Sequence, residues 1–244
     1  MLWILSQVAL QAGNLDRAAE VAARKRSLDL ERGAEEDAAL AVGVLANILA
    51  RRGELDEALR IHREEELPIY DRLGNIRSRA ATMDQIADIL QARGELDEAL
   101  RIRMEQLPVF DQFGDVRSRA VTMAKVADIL NARGELDEAL RILKQEVLPA
   151  FDRLGAVRER AVTLGKVASI LQARGELNAA LRIRREEELP VFDRLGDIRE
   201  RAATMGKVAS ILQTRGELDE ALRILRQEVQ VFDILLPTVG PGAR

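Results

Sequence analysis

The sequence predicts an all-α fold: a right-handed solenoid, or alpha-alpha superhelix, of about six stacked helical hairpins and no strands. Three observations predict it. The first is a decapeptide, Arg-Gly-Glu-Leu-Asp-Glu-Ala-Leu-Arg-Ile, intact at residues 52–61, 93–102, 133–142 and 215–224. It recurs as RGELNAALRI at 174–183 and in a worn copy at 12–21, so that glycines stand at 13, 53, 94, 134, 175 and 216. A period of 40 or 41 residues marks repeated supersecondary units stacked on one another rather than a closed single core. The second is the segment before each decapeptide. In 82–90, Met83, Ile86, Ala87 and Leu90 recur at steps of three and four, an apolar helical face. The third is that every connection between helical segments is short, which forces successive helices to be antiparallel neighbours.

The elements follow in order. A first helix is expected over about 2–11 and a second over 15–31. Helices that end at the decapeptide should then cover 35–52, 76–93, 116–133, 157–174 and 198–215, and helices that start within it 55–73, 96–113, 136–154, 177–195 and 218–235. Arg-Gly reads as a helix end, a cation in the last turn followed by the residue that tolerates the left-handed cap. Glu-Leu-Asp-Glu reads as the next start, its acids set against the positive end of the helix dipole. In the worn copy Asn14 takes the cap position. The other turn is Leu/Phe-Gly-Asx, as in Leu73-Gly74-Asn75, Phe113-Gly114-Asp115 and Leu195-Gly196-Asp197, where Asx caps the next helix; Asp197 with Glu200 has the spacing of a capping box. Ala156 breaks the rule, because alanine cannot cap. The units fall at about 1–33, 34–74, 75–114, 115–155, 156–196 and 197–236, one solenoid over 1–236, with a flexible tail at 237–244.

Four of the second helices carry an internal proline: Pro68, Pro108, Pro149 and Pro190. A mid-helix proline loses a hydrogen bond and clashes one turn back, at a cost of ~3 kcal/mol or more. Three of these helices also hold one residue more than the fourth between the decapeptide isoleucine and the proline. That residue would rotate the apolar face by about 100° in an unbroken helix. A π-bulge or kink before Pro68, Pro149 and Pro190 is the expected solution.

The chain has 244 residues, 47% hydrophobic and 32% charged, a mix that suits a folded helical protein. A net charge of −4 gives no case for nucleic acid or an anionic membrane as partner. The absence of cysteine excludes disulfides and thiolate metal sites. No stretch approaches the ~20 apolar residues of a membrane span. The apolar start, MLWILSQVAL, lacks a basic n-region and breaks at Gln11, so a cytoplasmic location is expected.

No phosphate loop, dinucleotide fingerprint, zinc-protease pair or nucleophile elbow occurs, so no enzyme activity, metal or cofactor is expected. His62 is the only histidine; with Arg103, Leu143, Arg184 and Leu225 as its counterparts it reads as a variable helix-surface position. The acids of the decapeptide read as helix-capping residues rather than general acids or bases. The arginine pairs of the second turn (Arg77 and Arg79, Arg117 and Arg119, Arg158 and Arg160, Arg199 and Arg201) read as exposed ion-pair partners rather than an anion site.

The small residues at Ala46, Ala87, Ala127, Ala168 and Ala209, the glycine seven positions later, and Ala58, Ala99, Ala139, Ala180 and Ala221 together resemble the tetratricopeptide repeat family over nearly the whole chain. The longer period and the Leu-Gly-Asp-x-Arg turn are similar to its forty-residue subclass, found in cell-polarity adaptors and in sensor regions of bacterial regulatory ATPases. The resemblance implies a binding scaffold whose first helices line a concave groove. Carried over, the partner-binding positions are Asn47, Asp84, Asp88, Lys125, Asp128, Lys166, Ser169, Lys207 and Ser210. Their charges should run from acidic at Asp84, Asp88 and Asp128 to basic at Lys166 and Lys207, with Lys125 and Asp128 offsetting each other at the crossover. Gly43, Gly165 and Gly206 fall mid-helix on the same helices, where glycine costs ~1 kcal/mol against alanine. Either a ligand backbone approaches closely there, or repeats touch there. The Lys/Asn pattern with which chaperone-binding members clamp a terminal carboxylate is not reproduced.

Two functions compete. One is a non-catalytic protein-protein interaction scaffold that holds a peptide or helix in the groove. The other is a self-associating sensor or regulatory segment of a larger multidomain bacterial regulator or ATPase. The second draws on the apolar residues at both ends, Trp3, Ile4 and Leu5 and then Val231, Phe232, Ile234, Leu235 and Leu236, which would pair terminal helices into a homo-oligomer.

Overall fold

The computed structural model describes residues 14–235, with side chains through residue 226. The first expected helix, the apolar residues at the two ends and the tail therefore lie outside the described residues. Eleven helices make up the described chain, with no strand among them. This is the all-α, solenoid class read from the sequence. The chain divides into two compact units, Met1–Phe113 and Gly114–Arg244.

Unit 1 holds α1 (Leu15–Glu31), α2 (Glu35–Arg51), α3, α4 (Ile76–Ala92) and α5 (Leu96–Phe113). Helix α3 is continuous but of two gauges: Leu55–Ile61 is α, His62–Glu66 is π, and Leu67–Leu73 is α again. Unit 2 repeats the plan with α6 (Val116–Ala132), α7, α8 (Val157–Ala173), α9, α10 (Ile198–Thr214) and α11 (Leu218–Leu235). Helix α7 runs Leu136–Ile142, π Leu143–Val147, Leu148–Arg153, and α9 runs Leu177–Arg182, π Ile183–Glu188, Leu189–Leu195.

The decapeptide makes the turn within each hairpin. Gly53 adopts φ 84°, its N–H bonds the Ala50 carbonyl at 3.0 Å and the Glu54 N–H bonds that of Leu49 at 2.9 Å. This paired arrangement satisfies carbonyls that a helix end leaves open. The flanking side chains explain the rest of the motif. Arg93 holds Glu95 of its own copy at 2.6 Å and Asp56 of the preceding copy at 2.8 Å; Arg174 does the same with Glu176 at 2.8 Å and Asp137 at 2.6 Å. The Asp partners are almost fully exposed, so each pair adds little to stability. The glutamates occupy cap positions without capping, as at Glu54, Glu135 and Glu176.

The turn between hairpins follows the expected chemistry. Gly74 takes φ 63° and ends α3; Asn75 then accepts from the Ser78 N–H at 3.0 Å. Asp115 and Asp197 cap α6 and α10 likewise, and Asn14 caps α1. Only half of the capping box forms at α10, because the Glu200 side chain turns to Arg158 instead. Ala156 stands in the same backbone conformation, φ −82°, ψ 71°, with no side-chain cap.

All three long second helices absorb their extra residue as a π segment, and α5, which lacks it, runs as uninterrupted α-helix through Pro108. In each π segment the closing N–H reaches five residues back, Leu67 to His62, Leu148 to Leu143 and Leu189 to Arg184. The wide turn ends one residue before the proline, where the ladder loses its donor.

Small residues set the helix spacing. Ala46, Ala87, Ala127 and Ala168 on first helices, and Ala58, Ala99, Ala139 and Ala180 on second helices, are fully buried. Larger side chains close over them. Ala46 sits with Val42 and Ile61, while Phe192 and Val191 pack on Ala161. Each such large apolar side chain contributes about 1.5–3 kcal/mol on burial. Within each unit, first helices also touch one another, α2 with α4 and α6 with α8.

Candidate binding face and its buried polar floor

The groove positions lie on first helices, so their environment depends on what the second helices place beneath them. In unit 1, Asn47 on α2 and Asp84 and Asp88 on α4 are half-buried. A cleft of about 460 Å³ opens between these helices and is lined by Asn47, Gln85 and Asp88. In unit 2, Lys125, Asp128 and Lys166 are half-buried, while Ser169, Lys207 and Ser210 are exposed. A cavity of about 230 Å³ is lined by Lys166, Ser169 and Lys207. Ser210 lines a more apolar one of about 310 Å³ with Leu218 and Leu222.

Beneath the face lies a layer that differs from the sequence expectation. His62 is not on the surface: it is fully buried, as are its counterparts Arg103, Leu143 and Arg184, whereas Leu225 in the last repeat is exposed. The position faces the hairpin interior, directly under the first helix. Four residues on, Glu66 and Glu188 are also buried. His62 Nδ1 bonds Glu66 Oε2 at 2.5 Å. Arg184 Nη1 donates to Glu188 Oε2 at 2.8 Å, and its Nη2 donates to Ser169 Oγ at 2.8 Å and to the Gly165 carbonyl at 3.2 Å. Thr204 Oγ1 completes the set on Glu188 Oε1 at 3.1 Å.

The mid-helix glycines belong to this layer. A Cβ on Gly43 would collide with the Glu66 carboxylate, whose Cδ lies 2.8 Å from that point; on Gly165 it would collide with Glu188, with Cδ at 2.9 Å. So the close approach at these two glycines is made by the chain's own second helix. At Gly206 nothing among the described residues lies within 4 Å of such an atom.

Internal pairing also changes the electrostatics. Buried Arg103 reaches up to both Asp84, at 2.5 Å, and Asp88. Those two acids are therefore offset by a cation that comes from the second helix rather than from the face itself. Asp128 pairs across to Lys166 on the next first helix. Burial pushes the Glu188 carboxyl up, against the opposing pull of Arg184, Thr204 and Lys207, and it lowers the Arg184 guanidinium. Most arginines of the second turn are ion-pair partners as read. Arg158 holds Asp197 at 3.0 Å, Arg160 holds Asp152 at 2.6 Å, Arg79 holds Asp71 at 2.7 Å and Arg117 holds Glu159. Arg77 stacks over Phe113, 5.9 Å from the ring centre.

The buried layer had a sequence signal. Aligned by repeat, three positions change together: Gly43 with His62 and Glu66, Asp84 with Arg103 and Gln106, Ala124 with Leu143 and Val147, Gly165 with Arg184 and Glu188. In these four repeats glycine goes with carboxylate, acid with arginine, and alanine with an aliphatic pair; the last repeat departs, with Gly206, Leu225 and Val229 at the three positions.

Two-helix units capped by Arg-Gly-Glu turns, spaced by alanines and opening clefts between first helices, define a helical repeat scaffold. The chain belongs to the tetratricopeptide repeat family: models of the tetratricopeptide repeat match residues 78–147, 201–230 and 39–64. No curated protein matches the chain in sequence. Among solved structures, BtubC (BKLC) from P. vanneervenii is similar with a TM-score of 0.76 at 16% identity, over 94% of this chain and 95% of that one. A STAND protein with a tetratricopeptide repeat sensor from Pyrococcus horikoshii gives 0.74 at 15% identity, over 97% of this chain and 35% of that one. A Rap protein complexed with competence and sporulation factor gives 0.69 at 11% identity, over 96% and 63%. These likenesses are of fold. Among the described residues no helix is long and apolar enough to cross a membrane.

Proposed function

We propose that the chain is a non-catalytic, cytoplasmic scaffold of the forty-residue-period subclass, which holds a peptide or helix of another protein against its first helices. The observation that carries this reading is the coincidence of clefts with groove positions. In unit 1 a cleft opens on Asn47 and Asp88, and in unit 2 a cavity opens on Lys166, Ser169 and Lys207. Concave, polar-rimmed clefts with an apolar share are where ligands gain contact area. The Rap structure, of like fold, is a complex with a factor, which agrees with binding as the role. In unit 2 a bound segment would carry Asp or Glu opposite Lys166 and Lys207. Such complementarity sets orientation and on-rate, and it weakens with salt.

The test begins with affinity capture of a partner from the native cell. Binding of that partner is then measured for Lys166→Glu with Lys207→Glu, against a control that reverses Arg158 and Arg199 in the turns. Loss in the groove variant alone supports the reading. Loss in the control alone moves the site to the turns.

The second reading, a self-associating sensor segment of a larger regulator, is favoured by the STAND likeness, in which this chain corresponds to 35% of the other. Light scattering of wild type and Trp3→Glu separates it: a monomer at high concentration, or assembly unchanged by the substitution, counts against it.

A further inference from the structure

In a repeat array each second helix offers a seat to the first helix of the next repeat. In unit 1, α2 lies across α1, where Val44 and Ile48 pack with Leu15, Ala18 and Ala22. In unit 2 the same side of α7 and of α9 is covered by α8 and α10. There Leu140, Leu143 and Leu181 are buried. On α11 the matching residues stand open. Leu222 is 50% exposed where Leu181 is 7%, and Leu225 is 44% exposed where Leu143 is 0%. Leu218 is exposed beside them, and with Ala209 of α10 the three line the apolar cavity of about 310 Å³.

We propose that this seat takes residues 1–11 of a second copy, laid across α11 as α2 lies across α1, so that copies join head to tail. The proposal rests on the self-association reading and names its two surfaces. Register points to this occupant. Counted from Gly13, residues 1–11 fall on first-helix positions, with Ser6 at the small position of Ala46 and with Ile4 and Val8 at the positions of Val44 and Ile48. Counted from Gly216, Leu218, Ala221 and Leu225 fall on Leu15, Ala18 and Ala22. The two surfaces are thus the counterparts of those that already meet between α1 and α2, and both are apolar. In the other first helices the Ile4 position holds Gln85, Lys125, Lys166 and Lys207. The rim, by contrast, is unmatched. Arg63 and Arg185 reach Glu98 and Glu220 of the next repeat, at 2.8 and 2.7 Å. By the same count, Arg226 on α11 meets Arg17 of the second copy. Exposed charges of this kind weigh little, so apolar burial carries the contact and the rim serves as a probe of its register.

Each copy offers one seat and one segment, so the contact does not close on a pair. Light scattering of the full chain should therefore show a mass that rises with concentration past that of a dimer. Leu222→Glu removes the seat and Ile4→Glu the segment, and each variant alone should be monomeric. Mixed in equal amounts they should form a dimer and stop there, because the pair keeps one intact contact; this rescue also shows that both variants fold. Arg17→Glu changes an exposed residue and gives the second copy the glutamate that Glu98 and Glu220 supply within the chain. It should tighten association about two- to fivefold, the order of one exposed ion pair. Arg226→Glu added to it should cancel the gain. Wild-type assembly that stops at a dimer, no rescue on mixing, or an Arg17→Glu chain no tighter than wild type overturns the proposal. Assembly that survives Leu222→Glu leaves the self-association reading standing while this seat falls, and a chain that is monomeric at every concentration takes both down. If Leu222→Glu leaves assembly unchanged and instead loses a protein that wild type captures, the seat belongs to that protein and the proposal falls.

Discussion

Gly43, Gly165 and Gly206 share a repeat position, and it separates two reasons for glycine in a helix. At 43 and 165 the missing Cβ makes room for a buried carboxylate from the second helix, while at 206 no described atom claims the space. The same substitution should therefore act with opposite sign. Gly43→Ala and Gly165→Ala force the Glu66 and Glu188 carboxylates to shift and should destabilise by about 1–3 kcal/mol, as overpacking does. Gly206→Ala should stabilise by about 1 kcal/mol through helix propensity. Urea denaturation of the three variants checks this; stabilisation at all three would show that propensity alone governs the position. The glycines were legible in the sequence, but not their cause. The pattern of one helix shows that a site is tight and cannot show whether ligand, repeat or own partner helix fills it.

At the scale of helices, most of the structure was legible. The Arg-Gly-Glu and Gly-Asx turns give most boundaries, since the signals are local: a left-handed residue and, in the Gly-Asx turns, a capping side chain. The π segments were legible too, because one surplus residue between fixed apolar positions must be absorbed somewhere. What escaped was the inward face of those segments. Arg103, on a helix with no π segment, is as buried as His62 and Arg184, so the inward face belongs to the position after the decapeptide isoleucine, where the polar side chains gave it the look of a surface. Two boundaries have alanine at the cap position, Ala34 and Ala156, and the second supplies a prediction. Ala156 has the backbone angles of its capped neighbours and lacks only the acceptor. Arg117, one repeat before it, is the counterpart of the Arg158 that pairs with Asp197. At Asp197 the Glu200 N–H first, and then Arg158, hold the carboxyl below its usual range, a sign that this turn favours the charged form. Ala156→Asp should therefore stabilise by ~0.5–2 kcal/mol. A lower urea midpoint would mean that the buried Ala156 site cannot accept a carboxylate.

At the scale of the whole molecule, the chain solves one packing problem with two chemistries. Between first and second helix it places ionic sets at Gly43/His62/Glu66, Asp84/Arg103 and Gly165/Arg184/Glu188, and an apolar set at Ala124/Leu143/Val147, all within one backbone plan. In repeat arrays, stability is close to a sum of unit and neighbour contributions, so a set should be transferable between units. Replacing the set in α8 and α9 by the one in α6 and α7, as Gly165→Ala with Arg184→Leu and Glu188→Val, exchanges buried charges for packed aliphatics. Such exchanges are commonly neutral or stabilising by about 1–4 kcal/mol, whereas removing one partner costs about 3–5 kcal/mol because the other charge stays buried. The triple variant should thus match or exceed wild type in urea, and Arg184→Leu alone should fall well below it. Thr204 loses its Glu188 partner but can bond its own helix, as Thr163 does with the Glu159 carbonyl at 2.8 Å. The pH dependence gives an independent check. Burial holds the Glu188 carboxyl above its ordinary range in the folded chain, so the folded state binds this proton more readily than the unfolded one. Its contribution to stability is then greatest at low pH and is lost as pH rises from the ordinary carboxylate range through the raised folded value. The triple variant lacks this group, so the difference between variant and wild type should widen with pH across that window. A difference that is flat or narrows would show that Arg184 fully compensates the buried charge, and that the ionic set costs the fold nothing.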